Sequence, residues 1–561
     1  MVFAGTLGLV PALAQFSYPG CDDLKPADFK MTELFSRKGV TGGGMDDSLS
    51  EPVQMDLHAV RKGAALDHVD IYMVERLGYV KHFDGGTKAL TAMGNIPTLG
   101  QVDNGLMGLA LHPDYDKNKW IYFWYSPDKM RGQNRILRLS RITVSANDKL
   151  DMASEKILIE ILGSKSDAYH SGGPMTFDAH GDLWVTVGNN SPDLNPATCN
   201  VMSKTDSTQS GEWGPSNTAS LRGGIFRIHP DSSAKGYSIP AGNFGEYWAK
   251  QFESQGKTAL ATQYRDPAKV LPEVYVKGDR SNYSIAVHPT KRWLAWGVVN
   301  YANINDEFNL VTHPVFAGYP YFHQNNLPTC TDNVEDVAAP KNNSPFNSGV
   351  VDLPPATPSV ISNLVNVAIS GPIYAFDRSL ASPTKFPPQM DNTWITMSFQ
   401  SNQMHVHTLD TVAVAPKVTT RVDNGLFGAW KLRSPVQAKY GPDGALYILN
   451  YDGFYTAVNP EVFRVDYVGG CHVAVTALRE QAGQGNLNVS LDFQTLSIRE
   501  PGTHEVSLYD LTGNLKLRRT GTGSADYRMG DLAGSLGLDQ GVYTVRVKTS
   551  RGAFVRNLSL L

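Results

Sequence analysis

Six times along the chain, a polar turn runs into a short strand rich in aromatic and β-branched residues. Few long apolar stretches of helical period separate these units. His112-Pro113-Asp114-Tyr115 leads into Trp120-Ile121-Tyr122-Phe123-Trp124-Tyr125, and His288-Pro289-Thr290 into Trp293-Leu294-Ala295-Trp296-Gly297. Gly441-Pro442-Asp443-Gly444 leads into Ala445-Leu446-Tyr447-Ile448-Leu449-Asn450, with weaker copies at Asp70–Glu75 and Asn392–Met397. The sixth unit is Met175-Thr176-Phe177, a turn around Gly181, and Leu183-Trp184-Val185-Thr186-Val187. Strands of this composition cannot stand alone, so each must pair into a sheet that packs on its neighbours. The spacing is roughly 50 to 110 residues, wider than the usual blade repeat of about 40–50, so long loops interrupt a repeated scaffold. The expected fold is all-β: a six-bladed β-propeller over residues 50–468, followed by a small β-sandwich. A parallel α/β fold is disfavoured.

Just before the sixth unit stands Tyr169-His170-Ser171-Gly172-Gly173-Pro174. The hairpin recurs along the chain and this histidine does not. An imidazole at the inner end of a hairpin faces whatever cavity the sheets share, with an ordinary pKa suited to general-base work at neutral pH. A formal net charge of −4 gives no basic face for nucleic acid, and no run of about 18 apolar residues offers a membrane span.

The start of the chain reads as an export signal. Val2–Ala14 is apolar and Ala12-Leu13-Ala14 precedes Gln15 as a small-x-small cleavage site, although no Lys or Arg precedes the run. Residues 1–14 are the expected signal, 15–49 a lead-in, and the destination secreted, periplasmic or cell-surface. Cys21, Cys199, Cys330 and Cys471 form no CxxC, which argues against a zinc ribbon or attached haem. In an exported chain they predict two disulfides with three pairings open. One of these, Cys21 with Cys471, would clamp the first and last blades. Beyond Gly469-Gly470-Cys471 the residues alternate in short strands, as in Leu487–Phe493 and Glu505–Asp510, so 475–561 is the expected sandwich. Its ending, Gly541-Val542-Tyr543-Thr544-Val545-Arg546-Val547 with a final Leu-rich strand, resembles the sorting domains of the type IX secretion system.

The body resembles the glucose/sorbosone dehydrogenase family, soluble quinoprotein sugar dehydrogenases that use pyrroloquinoline quinone (PQQ). The resemblance rests on an ordered series: Asn104-Gly105-Leu106-Met107-Gly108-Leu109-Ala110-Leu111-His112-Pro113, His170-Ser171-Gly172-Gly173 and Leu221-Arg222-Gly223-Gly224. It continues through Pro272-Glu273-Val274-Tyr275, Gly278-Asp279-Arg280-Ser281, Asp306-Glu307-Phe308-Asn309 and Gly318-Tyr319-Pro320. The resemblance implies that His170 removes a proton from a sugar hydroxyl while hydride passes to the quinone. It also implies that Arg280 stabilises charge on the quinone and that calcium polarises it. Cofactor positions fall at Asp103, Arg280, Gln400, Lys431 and Arg433, and the calcium-carrying turn falls at Asn300-Tyr301. The electron acceptor would be a separate partner.

Several of these positions depart from the family. Asn189 stands where a carboxylate orients the histidine, Gln400 where a lysine binds cofactor, and Lys431 where one of two arginines would sit. Asn300-Tyr301 replaces Gly-Pro. Two alternatives therefore stay open: a degenerate propeller serving as a carbohydrate-binding or surface-displayed module, and a metal-dependent lactonase built on Glu75, Asn189 and Asn300.

Overall fold

The structure, a computed structural model, describes residues 21–37, 48–163, 169–190, 211–300, 306–329, 335–362, 364–410, 417–423, 426, 432–454, 456–471, 488–492, 495–510, 515–529 and 541–560. The expected signal, Cys199, Cys330, Tyr301 and Lys431 lie outside the described residues. The chain divides into two compact units, Met1–Val473 and Ala474–Leu561.

Among the described residues of the first unit, six sheets of at least four strands follow one another along the chain. The first holds Pro52–Lys62, Ala65–Glu75, Tyr79–Phe83 and Leu90–Asn95. Leu106–Leu111, Trp120–Tyr125, Asn134–Val144 and Leu150–Leu162 make the second. The third opens with the hairpin Met175–Phe177 and Leu183–Val187, then adds Gly224–Pro230 and Val274–Lys277. Ser284–Val287, Leu294–Val298, Glu307–Val311 and Ile361–Ser362 form the fourth. The fifth contains Ala368–Ile373, Thr393–Ser398, Gln403–Asp410 and Lys417–Asp423. In the sixth, Pro435–Tyr440, Leu446–Asn450 and Glu461–Tyr467 are joined by Phe29–Ser36 from the start of the chain, antiparallel from Phe29↔Tyr467 to Ser36↔Glu461.

Each of the six turn-and-strand units supplies the second strand of a different sheet. These strands are almost wholly buried, and their aromatic side chains explain why: Trp124, Trp296 and Trp394 are fully enclosed between sheets. The first strands touch one another in cyclic order, each meeting the next and the sixth meeting the first. The unit is all-β and propeller-like. It carries two departures from the expectation: Phe29–Ser36, from the expected lead-in, belongs to the sixth sheet, and two helices, Phe244–Ser254 and Thr258–Arg265, are inserted between Gly224–Pro230 and Val274–Lys277 of the third sheet. Phe244, Ala249, Phe252, Ala261 and Tyr264 form their buried face, packed on Val270 and Val274.

Cys21 and Cys471 are bonded to each other, with Cα atoms 5.3 Å apart across 450 residues of sequence. In the second unit, Val489–Asp492, Thr495–Ile498 and Ala525–Arg528 make one sheet. Leu515–Thr522, Thr503–Tyr509, Gly541–Thr549 and Gly552–Leu560 make another, and Leu496, Ile498, Val506, Leu508, Val545 and Val547 share a single core.

Candidate functional site

A cavity of about 250 Å³ opens where the first strands converge. Each first strand or its entry contributes one side chain: Val53, Met107, Pro174, Tyr283, Ile369 and Val436. Arg76, Val102, Asp103, Tyr169, His170, Ser281, Val299, Val367, Phe399, Tyr451 and Phe454 line it from the loops. A second space of about 10 Å³ shares Val53, Pro174, Tyr283 and Val436 with it, and Gln54 and Gln437, which line this space, bond backbone groups of neighbouring strands.

His170 reaches the cavity from a strained position, with φ at +56°. Asp103 holds that turn by accepting the His170 backbone N–H at 2.7 Å, and the Ser171 hydroxyl donates to the Asp103 carbonyl. On the other side His170 Nδ1 lies 2.8 Å from Asn189 Oδ1. An amide oxygen only accepts, so Nδ1 carries the proton and Nε2 is the accepting nitrogen. The Asn189 backbone N–H in turn donates to the Arg280 carbonyl at 2.7 Å. The structure thus brings Asp103, His170 and Arg280, from the loops entering the second, third and fourth sheets, together with Asn189, from the loop after the second strand of the third. Burial pushes the His170 imidazole well below its ordinary pKa, and the Arg280 charge pushes the same way. The ring is a neutral base oriented by an amide in place of a carboxylate.

Gly188 makes this approach possible. A Cβ there would lie 2.2 Å from the His170 carbonyl oxygen and 2.9 Å from its Cβ. Gly188→Ala is expected to force His170 away from Asn189 and to cost about 1–3 kcal/mol, the usual penalty for overpacking. Urea unfolding and the ¹⁵N shift of the His170 ring measure both effects, and an unshifted ring would show that the contact yields elsewhere.

The other expected site residues are placed differently. Arg280 Nη1 donates to the carbonyls of Val299 (2.9 Å) and Asn300 (3.0 Å), so a guanidinium already holds the carbonyl proposed for calcium. The rest of Asn300 is also engaged: its N–H donates to Asp306 Oδ1 at 2.9 Å, and its amide lies 3.4 Å from Glu307. Burial raises the carboxyls of Asp306 and Asp279 to about 7 each. Gln400 is exposed in a turn and does not line the cavity. Arg433 is bound by Glu461 at 2.6 Å and Asp452 at 3.2 Å. Glu75 accepts the Ser50 N–H at 2.6 Å, away from the cavity wall. Among the described residues the one His/acid cluster with metal-like spacing is His68, Asp70 and Asp84, at the outer end of the first sheet. Its carboxylates already accept the N–H groups of Gly85, Gly86 and Thr87.

Of the cavity residues, the sequence marked only Asp103 and His170 as site residues; Ser281 and Tyr283 are two that it did not. Ser281 Oγ and Tyr283 Oη are buried and bond no protein group among the described residues. Leaving such a group unpartnered costs about 1–3 kcal/mol. Their position directly after Arg280, ahead of a first strand, was the available signal.

Residues 52–243 match the Glucose / Sorbosone dehydrogenase family. Among curated relatives, a Synechocystis protein is 24% identical over 266 residues, covering 46% of this chain and 55% of that protein. Human Hedgehog-interacting protein is 28% identical over 138 residues, covering 21% of this chain and 18% of its own length. The chain thus spans about half, or less, of the relatives it matches. Among solved structures, a glucose dehydrogenase from Thermus thermophilus aligns at a TM-score of 0.51 and 16% identity, over 78% of this chain and 99% of that one. A second glucose dehydrogenase structure aligns equally well, over 79% of this chain. At this identity the likeness is one of fold. The first unit is therefore an all-β, propeller-like body whose residues 52–243 carry the glucose/sorbosone dehydrogenase pattern.

Proposed function

We propose that residues 50–468, with Phe29–Ser36 completing the sixth sheet, form a six-bladed propeller of the sugar-dehydrogenase type whose axial cavity recognises the hydroxyl of a carbohydrate or related alcohol at His170. The observation that carries this reading is the imidazole lining the cavity, with Nδ1 tied to Asn189. Because burial lowers its pKa, His170 stays an acceptor through neutral and mildly acid pH. Hydroxyl binding is expected to stay level as pH falls through the ordinary imidazole range near 6.5. The second unit is proposed as a β-sandwich that serves sorting to the cell surface, following export.

PQQ, when bound, supplies a quinone that accepts hydride. It is a tricarboxylate, and the described residues do not fit its grip. Arg433 is neutralised by two carboxylates, Arg76 by Glu51, and Gln400 faces solvent. The calcium position fits no better, since Arg280 occupies the Asn300 carbonyl. These placements favour the ligand-binding reading over the quinoprotein dehydrogenase. Purified protein mixed with PQQ and calcium is expected to show neither a bound-quinone spectrum nor dye reduction with aldoses. A bound spectrum with turnover, lowered roughly 10²–10⁴-fold by His170→Ala as for a general base, would restore the dehydrogenase.

A further inference from the structure

We infer that Arg222 is a positioning residue for His170, its guanidinium locking the Asn189-Asn190 turn that holds the imidazole at the cavity. This role rests on the proposed reading of His170 as the recognising side chain and names what keeps that ring in place.

Arg222 belongs to the Leu221-Arg222-Gly223-Gly224 motif, at the entry of Gly224–Pro230 in the third sheet. The Gly223 N–H donates to the Gly188 carbonyl at 2.8 Å, which sets this turn beside the exit of Leu183–Val187. The guanidinium then forks: Nε donates to the Asn189 carbonyl at 2.9 Å and Nη2 to the Asn190 carbonyl at 2.8 Å. Both asparagines are buried, and both hold His170. Asn189 Oδ1 meets the ring at 2.8 Å. The Asn190 N–H donates to the His170 carbonyl, and the Asn190 side-chain amide to the Tyr169 carbonyl, each at 3.1 Å. The two partners are strained, with φ at +56° for His170 and +47° for Asn190. Side chains persist in that region where their surroundings over-determine them. Arg222 supplies such a constraint, because its planar fork fixes two successive carbonyls at once. It is braced in turn by Lys277, a lysine with no exposed surface. The Lys277 ammonium spends its three donors on the carbonyls of Gly214, Ser220 and Arg222 itself.

Histidine-selective ¹⁵N spectra of the full chain, followed over pH in Arg222→Gln and Arg222→Lys, test this with no ligand present. His288, buried in the turn after Ser284–Val287 and bonded to Asn392 at 3.2 Å, is the internal control. In both variants the His170 ring shifts are expected to change. Its titration, held well below the ordinary range chiefly by burial, should move up toward that range as the loosened turn admits water. Lysine keeps the charge but cannot fork across two carbonyls, so Arg222→Lys should show the effect as well. The His288 titration, pushed down to about 4 by burial, should not move. A His170 signal unmoved in Arg222→Gln overturns the inference. So does one that moves in Arg222→Gln but not in Arg222→Lys, since charge alone would then explain it. Movement of His288 together with His170, or failure of both variants to fold, overturns it by making Arg222 a support of the whole sheet. Hydroxyl recognition is read by ligand binding and this role by ring shifts in the free protein, so the two readings fail separately.

Discussion

Trp296→Ala should lower the unfolding free energy of the first unit by about 3–5 kcal/mol, the range for deleting a large buried aromatic. Trp296 is fully enclosed in the second strand of the fourth sheet, among Trp184, Ile225, Val276 and Val298. Its loss reaches beyond the cavity left behind, because the indole Nε1–H donates to Asp279 Oδ1 at 3.1 Å. Asn282 donates to the other oxygen at 3.1 Å. Burial drives the Asp279 carboxyl up to about 7, and these two donors resist that rise. The sign of the pH effect follows. Between about pH 4 and 7 the folded chain holds a proton at Asp279 that the unfolded chain has released. Stability from this group is therefore full below the unfolded pKa and falls as pH rises, by at most about 1.4 kcal/mol per pH unit, levelling once the folded pKa is passed. Asp279→Asn should flatten that slope. Trp296→Ala should carry it to higher pH, and Trp296→Phe should keep most of the packing but lose the donor. Urea unfolding at pH 5 and pH 8 separates the effects, and a Trp296→Ala protein within about 1 kcal/mol of the parent would refute the account.

Removing the Cys21–Cys471 bond by Cys21→Ser should cost about 2–4 kcal/mol. The bridge joins positions 450 residues apart, so it withholds a very large loop from the unfolded chain. It also guards one seam. Among the described residues, Phe29–Ser36 is the only strand of the sixth sheet drawn from the start of the chain, and it pairs with Glu461–Tyr467 a few residues before Cys471. Without the bond the pairing depends on its ladder and on the contact of Phe29 with Phe386 and Tyr467, whose ring centres lie 5.1 and 5.6 Å away. Faster amide exchange across 29–36, with 52–75 unchanged, is the expected signature. Uniform exchange in both segments would mean that the ring closes without the clamp.

The six second strands were legible in the sequence because alternating aromatic and β-branched residues after a polar turn are a local pattern, and burial at the centre of a sheet demands nothing more distant. His170 could be singled out for a similar reason. The glycines that follow it, Gly172 at φ +70° and Gly173 at +129°, mark a turn that other residues rarely adopt. The helices at 244–265 were missed because their apolar faces are short and interrupted, and they gain stability from the side of the third sheet rather than from propensity.

What the sequence by itself determined is the set of strands, the single histidine ahead of the third sheet, and the pattern shared with the sugar dehydrogenases. Tertiary structure alone decided what each charge meets. Arg433 is 19 and 28 residues from Asp452 and Glu461, and the folded sixth sheet turns all three toward each other. Arg280 finds the carbonyl of Asn300 only because the two loops of the fourth sheet close side by side. Charge pairing in a partly dry site depends on separations of a few ångströms, and residue order along the chain does not specify them.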